Sequence, residues 1–418
     1  MVEVVMAIFI FGIVIVGVVV GMGSSLNLTR GNRSRSVAAN LASEEMDTVR
    51  STDFVDLPLG QVTSTQTIDN VPYTITRESE WVIPNATNGP CQAPANASLA
   101  YLAVDVAVTW PNMAGVQPIS SNTVVTPPVG TYDPTSGHVA VTVRDRNGVA
   151  EDGVLVSLGG PVNDSQMTTS DGCAFFAFEP PGSYTVALSG SGFVNDQGIA
   201  APSQSATIKA GSVVSVQFQY DQAATLLLTL QGNNGYAPPS NITVSVGNTH
   251  ILPTGTKWFA GTGSPRTISG LFPYSDGYEV WAGGCSDADP EGVSPGGSPY
   301  YSGASRAVPI AVTPGAPSVG AVMMPEVAVT VKKAGASVPG YDVTVTHVTP
   351  SGATSDPGCP TAESYALGTS GVNGIVNAAV PYGTWTVTAT KGSSTGSATV
   401  TLSPLDPATP KGMTVNVT

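Results

Sequence analysis

Residues that could carry catalysis are few and scattered in this chain. Its 418 residues include only three histidines, at positions His138, His250 and His347. They lie far apart in the sequence, and no metalloprotease, nucleophile-elbow or nucleotide-binding signature accompanies any of them. Because an active site needs a reactive group with partners in defined roles, we expect no catalytic residues and predict that the protein is not an enzyme.

One short acidic run could bind a cation. The sequence D-A-D-P-E-G at 287–292 resembles the start of a calcium loop, in which oxygen ligands recur at alternate positions. The twelfth position would be Ser298 instead of glutamate, and Pro290 is unusual inside such a loop. A solvated acidic turn is the simpler interpretation. Asp287, Asp289 and Glu291 are therefore candidate ligands of a structural Ca2+, and no other cofactor is expected.

Four cysteines could cross-link the chain. Cys91, Cys173, Cys285 and Cys359 allow three pairings, and each predicted β domain described below contains about one of them. Pairing neighbours, Cys91 with Cys173 and Cys285 with Cys359, is the favoured arrangement. Free buried cysteines are the alternative, which Cys173 at the start of an apolar strand would suit. No C-x-x-C sequence is present, so zinc and dithiol redox motifs are absent.

The charge is low and unevenly distributed. Charged residues make up 11% of the chain and the net charge is −14, which argues against nucleic acid as a partner. The first 50 residues have no net charge, so the whole acidic excess lies beyond them. Frequent Gly and Pro among Val- and Thr-rich segments are typical of strands and turns.

The N-terminal segment has the length of a membrane helix. Residues 4–23 carry no charge, and twenty residues at about 1.5 Å each match a hydrocarbon core of about 30 Å. A signal peptide, a simple signal anchor and a buried core helix are the alternatives. Glu3, directly before the apolar run, is costly at the edge of a membrane. Beyond Arg33 the helix continues as an amphipathic one, with Ala38, Ala42 and Met46 on one face.

This N-terminal region resembles type IV pilins and pseudopilins. The resemblance rests on V-E-V-V-M-A-I-F-I-F-G-I-V-I-V-G followed by R-G-N-R-S-R-S-V-A-A-N-L-A-S-E-E-M, about 53 residues. It implies that Glu3 is the family's glutamate at mature position five, so that the mature, methylated start lies two residues before Met1. It also implies that subunits leave the membrane and polymerise through this helix, with Glu3 facing a neighbouring N-terminus.

The remainder is predicted to be β modules. A hairpin around Asp69-Asn70 and the alternating strand at 101–110 predict a small β head. A Pro-Gly-x-Tyr-x-Val sequence at 181–186 has partial copies near 273 and 381, which predicts three tandem modules. The first resembles carboxypeptidase-regulatory-like or Cna-B-like β-sandwiches. The predicted domains are 1–54 (filament core 1–30, amphipathic 31–54), 55–134, 135–222, 223–325 and 326–418.

The predicted fold class is α+β, mostly β: a long apolar pilin helix, a small β head and about three Ig-like sandwich modules. The predicted protein is a subunit of an extracellular type IV pilus-like filament, inserted in the cytoplasmic membrane before assembly. Its partners would be copies of itself, other pilins and the assembly platform.

Two alternatives remain: a minor pilin or tip adhesin that binds a glycan or another surface ligand, or a membrane-anchored surface protein that never polymerises. The aromatic candidates for such a ligand site are Trp258, Trp281, Tyr278, Tyr300, Tyr301 and Trp385.

Overall fold

The structure is a computed structural model that describes residues 2–82, 91, 101–111, 113, 117–126, 135–349, 359, 363–407 and 409–418. The chain forms two compact units, each described below by itself. Unit 1 comprises Met1–Ser189 and Pro202–Phe218, and unit 2 comprises Gly190–Ala201 and Gln219–Thr418.

Unit 1 begins with helix α1, Val2–Ser51, followed by a short 3-10 turn at Phe54–Asp56. The second half of α1 packs on an antiparallel sheet of order β1-β2-β3-β4. Ala38, Ala42 and Met46 are at most 2% exposed, as their helical spacing predicts. The sheet strands are β1 (Gly60–Ile68), β2 (Val71–Val82), β3 (Tyr101–Thr109) and β4 (Ile119–Val125).

The hairpin between β1 and β2 forms where the sequence predicted it. Ile68 pairs with Val71, and the two turn residues Asp69 and Asn70 both have positive φ, of 51° and 62°. Positive φ at both central residues is characteristic of a type I′ turn, whose twist matches that of the flanking strands. In β3, Leu102, Val104, Val106 and Val108 are buried at every second position, which agrees with the predicted alternation.

The described residues of unit 1 form two more sheets. In one sheet β5 lies between β12 and β8, and the other sheet has the order β11-β9-β6-β7. β12 starts in unit 1 and continues past Phe218 into unit 2, where its last residues pair with β10. The strands are β5 (Gly137–Arg144), β6 (Leu155–Gly159), β7 (Asp164–Met167), β8 (Cys173–Glu179), β9 (Gly182–Ser189), β10 (Phe193–Asn195), β11 (Ser203–Ile208) and β12 (Val213–Gln222).

In unit 2, the part of the chain that the structure describes forms four further sheets. Their orders are β16-β13-β18, β15-β14-β17, β20-β19-β23 with β26 beside β19, and β22-β21-β24-β25. The strands are β13 (Ala224–Gly232), β14 (Val244–Gly247), β15 (Thr256–Phe259), β16 (Arg266–Leu271), β17 (Glu279–Ala282), β18 (Pro317–Met324), β19 (Glu326–Lys333), β20 (Ala336–Ser337), β21 (Asp342–His347), β22 (Ser364–Thr369), β23 (Ile375–Ala379), β24 (Gly383–Lys391), β25 (Ser394–Leu402) and β26 (Lys411–Val417). A 3-10 turn spans Ser286–Ala288.

One hydrophobic core joins these sheets of unit 2. It contains Leu228 from β13, Val329 from β19 and Trp385 from β24, all fully buried. Glu326 strengthens the connection, because its carboxylate accepts hydrogen bonds from the backbone N–H groups of Asn234 and Tyr236, both at 2.8 Å. The segments predicted as second and third modules are therefore packed within one compact unit.

The predicted fold class is wrong. The described chain contains 26 strands and a single α-helix, so the protein is nearly all β and not α+β with an apolar pilin helix as its defining element. The reason is that Val- and Thr-rich segments with period-two burial recur through the described chain, whereas its α-helix lies before the first sheet. Among the residues described, no helix combines the length and apolar character that crossing a membrane requires.

Candidate functional site

A buried disulfide forms the centre of the candidate site in unit 2. Cys285 follows strand β17 through Gly283 and Gly284, and it is bonded to Cys359, 74 residues later. Both cysteines are 2% exposed. On the predicted division of the chain, this bridge connects the second module to the third.

A histidine lies directly against this disulfide. His347 is the last residue of β21, and its Nδ1 lies 3.5 Å from the Sγ of Cys285 and 4.0 Å from the Sγ of Cys359. On the other side of the ring, Nε2 is 3.0 Å from the carboxylate of Asp287. Trp385 packs edge-on against the imidazole, with ring centroids 5.0 Å apart. The ring is thus held from three sides.

Asp287 is positioned by a turn and by a close glycine. Its side chain lies in the 3-10 turn after Cys285 and is buried, while the hydroxyl of Tyr301 donates to its backbone carbonyl at 2.7 Å. Gly383 has φ of +120°, and a Cβ there would lie 2.9 Å from Nε2 of His347 and 3.0 Å from Oδ2 of Asp287. Only glycine therefore fits beside this pair.

An arginine organises the neighbouring acidic turn. Arg306 donates from Nε and Nη2 to the two carboxylate oxygens of Asp289, at 2.8 and 2.6 Å, and from Nη1 to Glu279 at 2.7 Å. Its guanidinium lies 4.6 Å from the ring centroid of Trp281. Burial alone would lower the pKa of Arg306, but the hydrogen bonds from Asp289 and Glu279 outweigh it, so the pKa is raised.

The three predicted calcium ligands are engaged with different partners. Asp287 faces His347, Asp289 binds Arg306, and Glu291 accepts a hydrogen bond from the backbone N–H of Arg306 at 3.2 Å. Their role as Ca2+ ligands stays a prediction. In the described part of the chain, the one cluster of three potential ligand atoms lying within 4.8 Å of one another consists of Cys285, His347 and Cys359.

A groove of about 330 Å³ lies beside the Arg306 cluster. Its wall includes a row across three strands in which Ser245 of β14 pairs with Trp258 of β15 and Trp281 of β17. Trp258 is 42% exposed, whereas Trp281 is covered by Arg306 and is 5% exposed. Of the other aromatic candidates, Tyr278 and Trp385 are core residues, while Tyr301 packs near Tyr300 and Tyr382.

The second disulfide lies in unit 1 and has different surroundings. Cys91 is bonded to Cys173 at the start of β8, 82 residues later. The Sγ of Cys91 lies 3.3 Å from the backbone carbonyl oxygen of Val141 and 3.9 Å from that of Ala174. Phe175 and Trp81 belong to the same apolar cluster as Cys173. This bridge connects the predicted head to the predicted first module.

The other predicted residues are not brought to either bridge. His138 accepts from the backbone N–H of Phe178 through Nδ1 at 3.0 Å, and burial lowers its pKa. His250 stacks on Tyr274. Glu3 lies in α1, and Met1 lies outside the described residues, so their predicted assembly roles stay predictions. The sequence analysis considered His347 only as one of three scattered histidines and did not single out Arg306, since neither has a local motif around it.

Comparison with known proteins assigns no family to this chain. No protein-family model matches it, and no curated protein matches its sequence. Among solved structures, the Bacillus anthracis TIE protein is 12% identical with a TM-score of 0.21, covering 86% of this chain and 72% of that one. The match to BcpA, the major pilin subunit of Bacillus cereus, is 11% identical with a TM-score of 0.20, covering 67% and 99%.

A Streptococcal ancillary pilin is a further match, 11% identical with a TM-score of 0.18, covering 85% of this chain and 80% of that one. Several of the similar structures are thus pilin subunits. At TM-scores near 0.2, these likenesses carry no argument about the function of this chain.

Proposed function

We propose that the protein is a structural subunit of a pilus-like assembly on the cell surface. The observation that carries this proposal is the placement of the two disulfides. Cys91–Cys173 and Cys285–Cys359 each connect segments that the sequence assigns to consecutive modules. A bridge between modules makes their junction resistant to separation, which is what a subunit under mechanical load requires.

The bridges also fit an exported protein. Stable disulfides form in oxidising compartments and are rare where thiols are kept reduced.

A bridge that closes a loop of this length stabilises a fold by about 2–5 kcal/mol, chiefly by restricting the unfolded chain. In the described residues, all four cysteines are consumed in bridges. Near the bridge in unit 2, Arg306 is paired with Glu279 and Asp289, which holds the acidic turn in place.

An exposed apolar face of α1 offers a surface for subunit association. Phe11, Ile15, Val18 and Met22 are between 46% and 65% exposed and follow one another at helical spacings of four, three and four residues. Contiguous exposed apolar side chains mark interaction surfaces. In this proposal, contacts between copies of the chain cover this face within the assembly.

The proposal is tested on cells that express the tagged full-length chain. We expect the protein in the material sheared from the cell surface, at a particle mass many times that of one chain, and on appendages labelled by an antibody against unit 2. Phe11→Asp with Val18→Asp should reduce the sheared particles to single chains. Protein that stays inside the cell, or sheared protein that is monomeric with or without these substitutions, would refute a structural subunit.

A second candidate function, adhesion to glycans, is favoured by the groove beside Arg306. Trp258 presents an exposed indole beside hydroxyl and carboxylate groups, including those of Thr256 and Glu291. Aromatic surface with a few placed polar groups is typical of small-ligand sites, and a sugar ring presents both apolar faces and hydroxyls. Binding of the intact chain to a glycan array should be lost in Trp258→Ala and kept in Val372→Ala, a fully exposed control. Equal binding by both variants would exclude this groove.

A further inference from the structure

The buried pair of His347 and Asp287 lies directly against the Cys285–Cys359 disulfide. We propose that it activates the thiol of Cys285 when the Cys285–Cys359 bridge forms, with His347 as the general base and Asp287 as its positioning residue. The protein would thus promote the closure of its own cross-link in unit 2. The inference goes beyond a structural role, and its tests are independent of surface assembly.

The contacts of the imidazole define which nitrogen carries the proton. Nε2 lies 3.0 Å from a carboxylate, which can only accept a hydrogen bond when ionised. Nε2 therefore bears the N–H, and Nδ1 presents a lone pair. The two sulfur atoms lie beside this nitrogen, at 3.5 Å for Cys285 and 4.0 Å for Cys359. The pair of His347 and Asp287 thus has the tautomer that a base beside a thiol requires.

The imidazole can act on a thiol only while the bridge is open. In the closed bridge neither sulfur carries a proton, so Nδ1 has no hydrogen-bond donor among its contacts in the described residues. A buried acceptor without a donor costs free energy. When the bridge is open, the S–H of Cys285 can donate to Nδ1, and transfer of that proton gives a thiolate beside an imidazolium. The thiolate is the reactive form of cysteine.

Bridge formation needs an oxidant, which we take to be a low-molecular-weight disulfide. Cys285 gives its proton to Nδ1 of His347, and its thiolate attacks one sulfur of the donor. A mixed disulfide forms, the donor S–S bond breaks, and the released donor thiolate takes the proton from the imidazolium of His347. Cys359 then gives its proton to Nδ1 of His347, and its thiolate attacks Sγ of Cys285. The second donor thiolate is expelled and takes that proton from the imidazolium. Two cysteines are oxidised and one donor disulfide is reduced to two thiols.

Few other ionisable groups face the imidazole. Glu363 accepts the backbone N–H of His347 through its carbonyl at 2.8 Å, and its carboxylate accepts from Gly284 at 3.0 Å. Tyr301 contacts the backbone of Asp287, and Tyr365 packs on Trp385. Burial raises the pKa of both tyrosines, so they stay neutral over the pH range in which a histidine titrates. Asp287 is therefore the carboxylate in direct contact with the ring.

The disulfide of unit 1 is a built-in control. The sulfur of Cys91 contacts backbone carbonyls, and the described surroundings of the Cys91–Cys173 bridge place no imidazole at hydrogen-bond distance from it. Cys173 and Cys285 are equally buried, at 3% and 2% exposure. The two bridges can therefore be compared within the same molecule and the same solution.

The experiment follows the closure of both bridges in the full-length chain. Reduced protein is refolded between pH 5 and 8.5 with oxidised glutathione, quenched with acid, and each bridge is quantified by mass spectrometry. General-base catalysis contributes about 10²–10⁴-fold, so we expect His347→Gln to slow closure of Cys285–Cys359 at least about tenfold near pH 6.5. The rate for Cys91–Cys173 should not change. Equal rates and equal pH profiles for the Cys285–Cys359 bridge in wild type and His347→Gln would overturn the proposal.

Two further variants separate activation from packing. Asp287→Asn should slow the same bridge and move the pH profile, whereas Trp385→Phe, which keeps an aromatic ring against His347, should change neither. If His347→Gln does not fold, the proposal is tested with variants that each keep one free thiol. Cys359→Ala leaves Cys285 free beside the imidazole, and Cys91→Ala leaves Cys173 free without an imidazole beside it. At pH 6.5, iodoacetamide should modify Cys285 in the first variant faster than Cys173 in the second. A rate no higher than that of Cys173 would refute the role of His347.

Discussion

Arg77 of β2 donates through Nη1 to Oε1 of Glu45 on α1 at 2.9 Å, and this ion pair fastens the helix to the sheet of unit 1. Both side chains are largely buried, at 11% and 24% exposure. Each ion is thereby withdrawn from water, so neither tolerates the loss of its partner. The contact lies beside the apolar face of α1 that contains Ala42 and Met46.

Replacing Glu45 by Gln should therefore loosen α1 on its sheet. The substitution leaves the Arg77 guanidinium buried without a counter-charge, and hydrogen bonds to charged groups contribute about 1.5–3 kcal/mol. We expect faster hydrogen exchange of the amides in α1 and β2 by a matching factor, measured by mass spectrometry. The exposed neighbour Glu44→Gln is the control and should leave exchange unchanged. Similar exchange in both variants would show that the ion pair does not hold the helix.

Replacing Arg306 by Lys should destabilise the acidic turn of unit 2. Lysine keeps the charge but cannot bind both oxygens of Asp289 and also reach Glu279 while stacking on Trp281. Breaking a buried, paired charge costs about 3–5 kcal/mol, and we expect the lower part of that range because one charge remains. Urea unfolding monitored in unit 2 measures this loss in the free energy of unfolding.

A charge pair near the surface provides the comparison for Arg306. Lys411 and Asp406 are paired at 2.9 Å with side chains 41% and 30% exposed. Exposed pairs contribute about 0–1 kcal/mol, so Lys411→Arg should leave the unfolding midpoint almost unchanged. A loss of stability in Lys411→Arg as large as that in Arg306→Lys would mean that solvent exposure does not determine how much these ion pairs contribute to stability.

Replacing Gly383 by Ala should disturb the pair of His347 and Asp287 beyond the cost of its backbone angle. Gly368 has a similar φ of +110° but open space around its Cβ position, whereas the Cβ of residue 383 would meet both side chains. An unfavourable φ costs about 1–3 kcal/mol in each variant. Thermal unfolding of Gly383→Ala and of Gly368→Ala measures the loss of stability in each variant. The additional loss in Gly383→Ala is the cost of the close contact. Equal losses in both variants would show that the pair can move aside.

Unit 1 should lose stability as the pH rises from about 4.5 to about 7. Burial raises the pKa of Glu80 to about 7, with Asp171 adding to the effect, and burial likewise raises the pKa of Glu179 to about 7, with Asp164 contributing. Because the folded state binds more protons than the unfolded state in this range, deprotonation favours unfolding. Stability from these groups is complete below pH 4.5 and is lost through pH 7.

The pH dependence is tested by neutralising both carboxyls. Melting temperatures of Glu80→Gln combined with Glu179→Gln should vary less between pH 4.5 and 7 than those of the wild type. Glu44→Gln, on the exposed face of α1, should retain the wild-type slope. An unchanged slope in the double variant would assign the pH dependence to other groups.

Local patterns in the sequence were sufficient to predict several elements. The spacing of Ala38, Ala42 and Met46 predicted the buried face of α1, and Asp69-Asn70 predicted the β1–β2 turn. These succeed because a helix face and a two-residue turn depend on residues only a few positions apart. The predicted fold class was wrong because it treated the apolar N-terminal run as the main element of a chain that is nearly all strand.

By itself, the sequence determined the strand alternation, the hairpin turn, the acidic excess beyond residue 50 and the set of four cysteines. Only the tertiary structure decided that His347 lies between Cys285 and Asp287, that Arg306 binds Asp289, and that the segments predicted as second and third modules share one core. Such contacts join residues that are 17 to more than 60 positions apart. They depend on which strands pair and which faces are buried together, and no local periodicity encodes that.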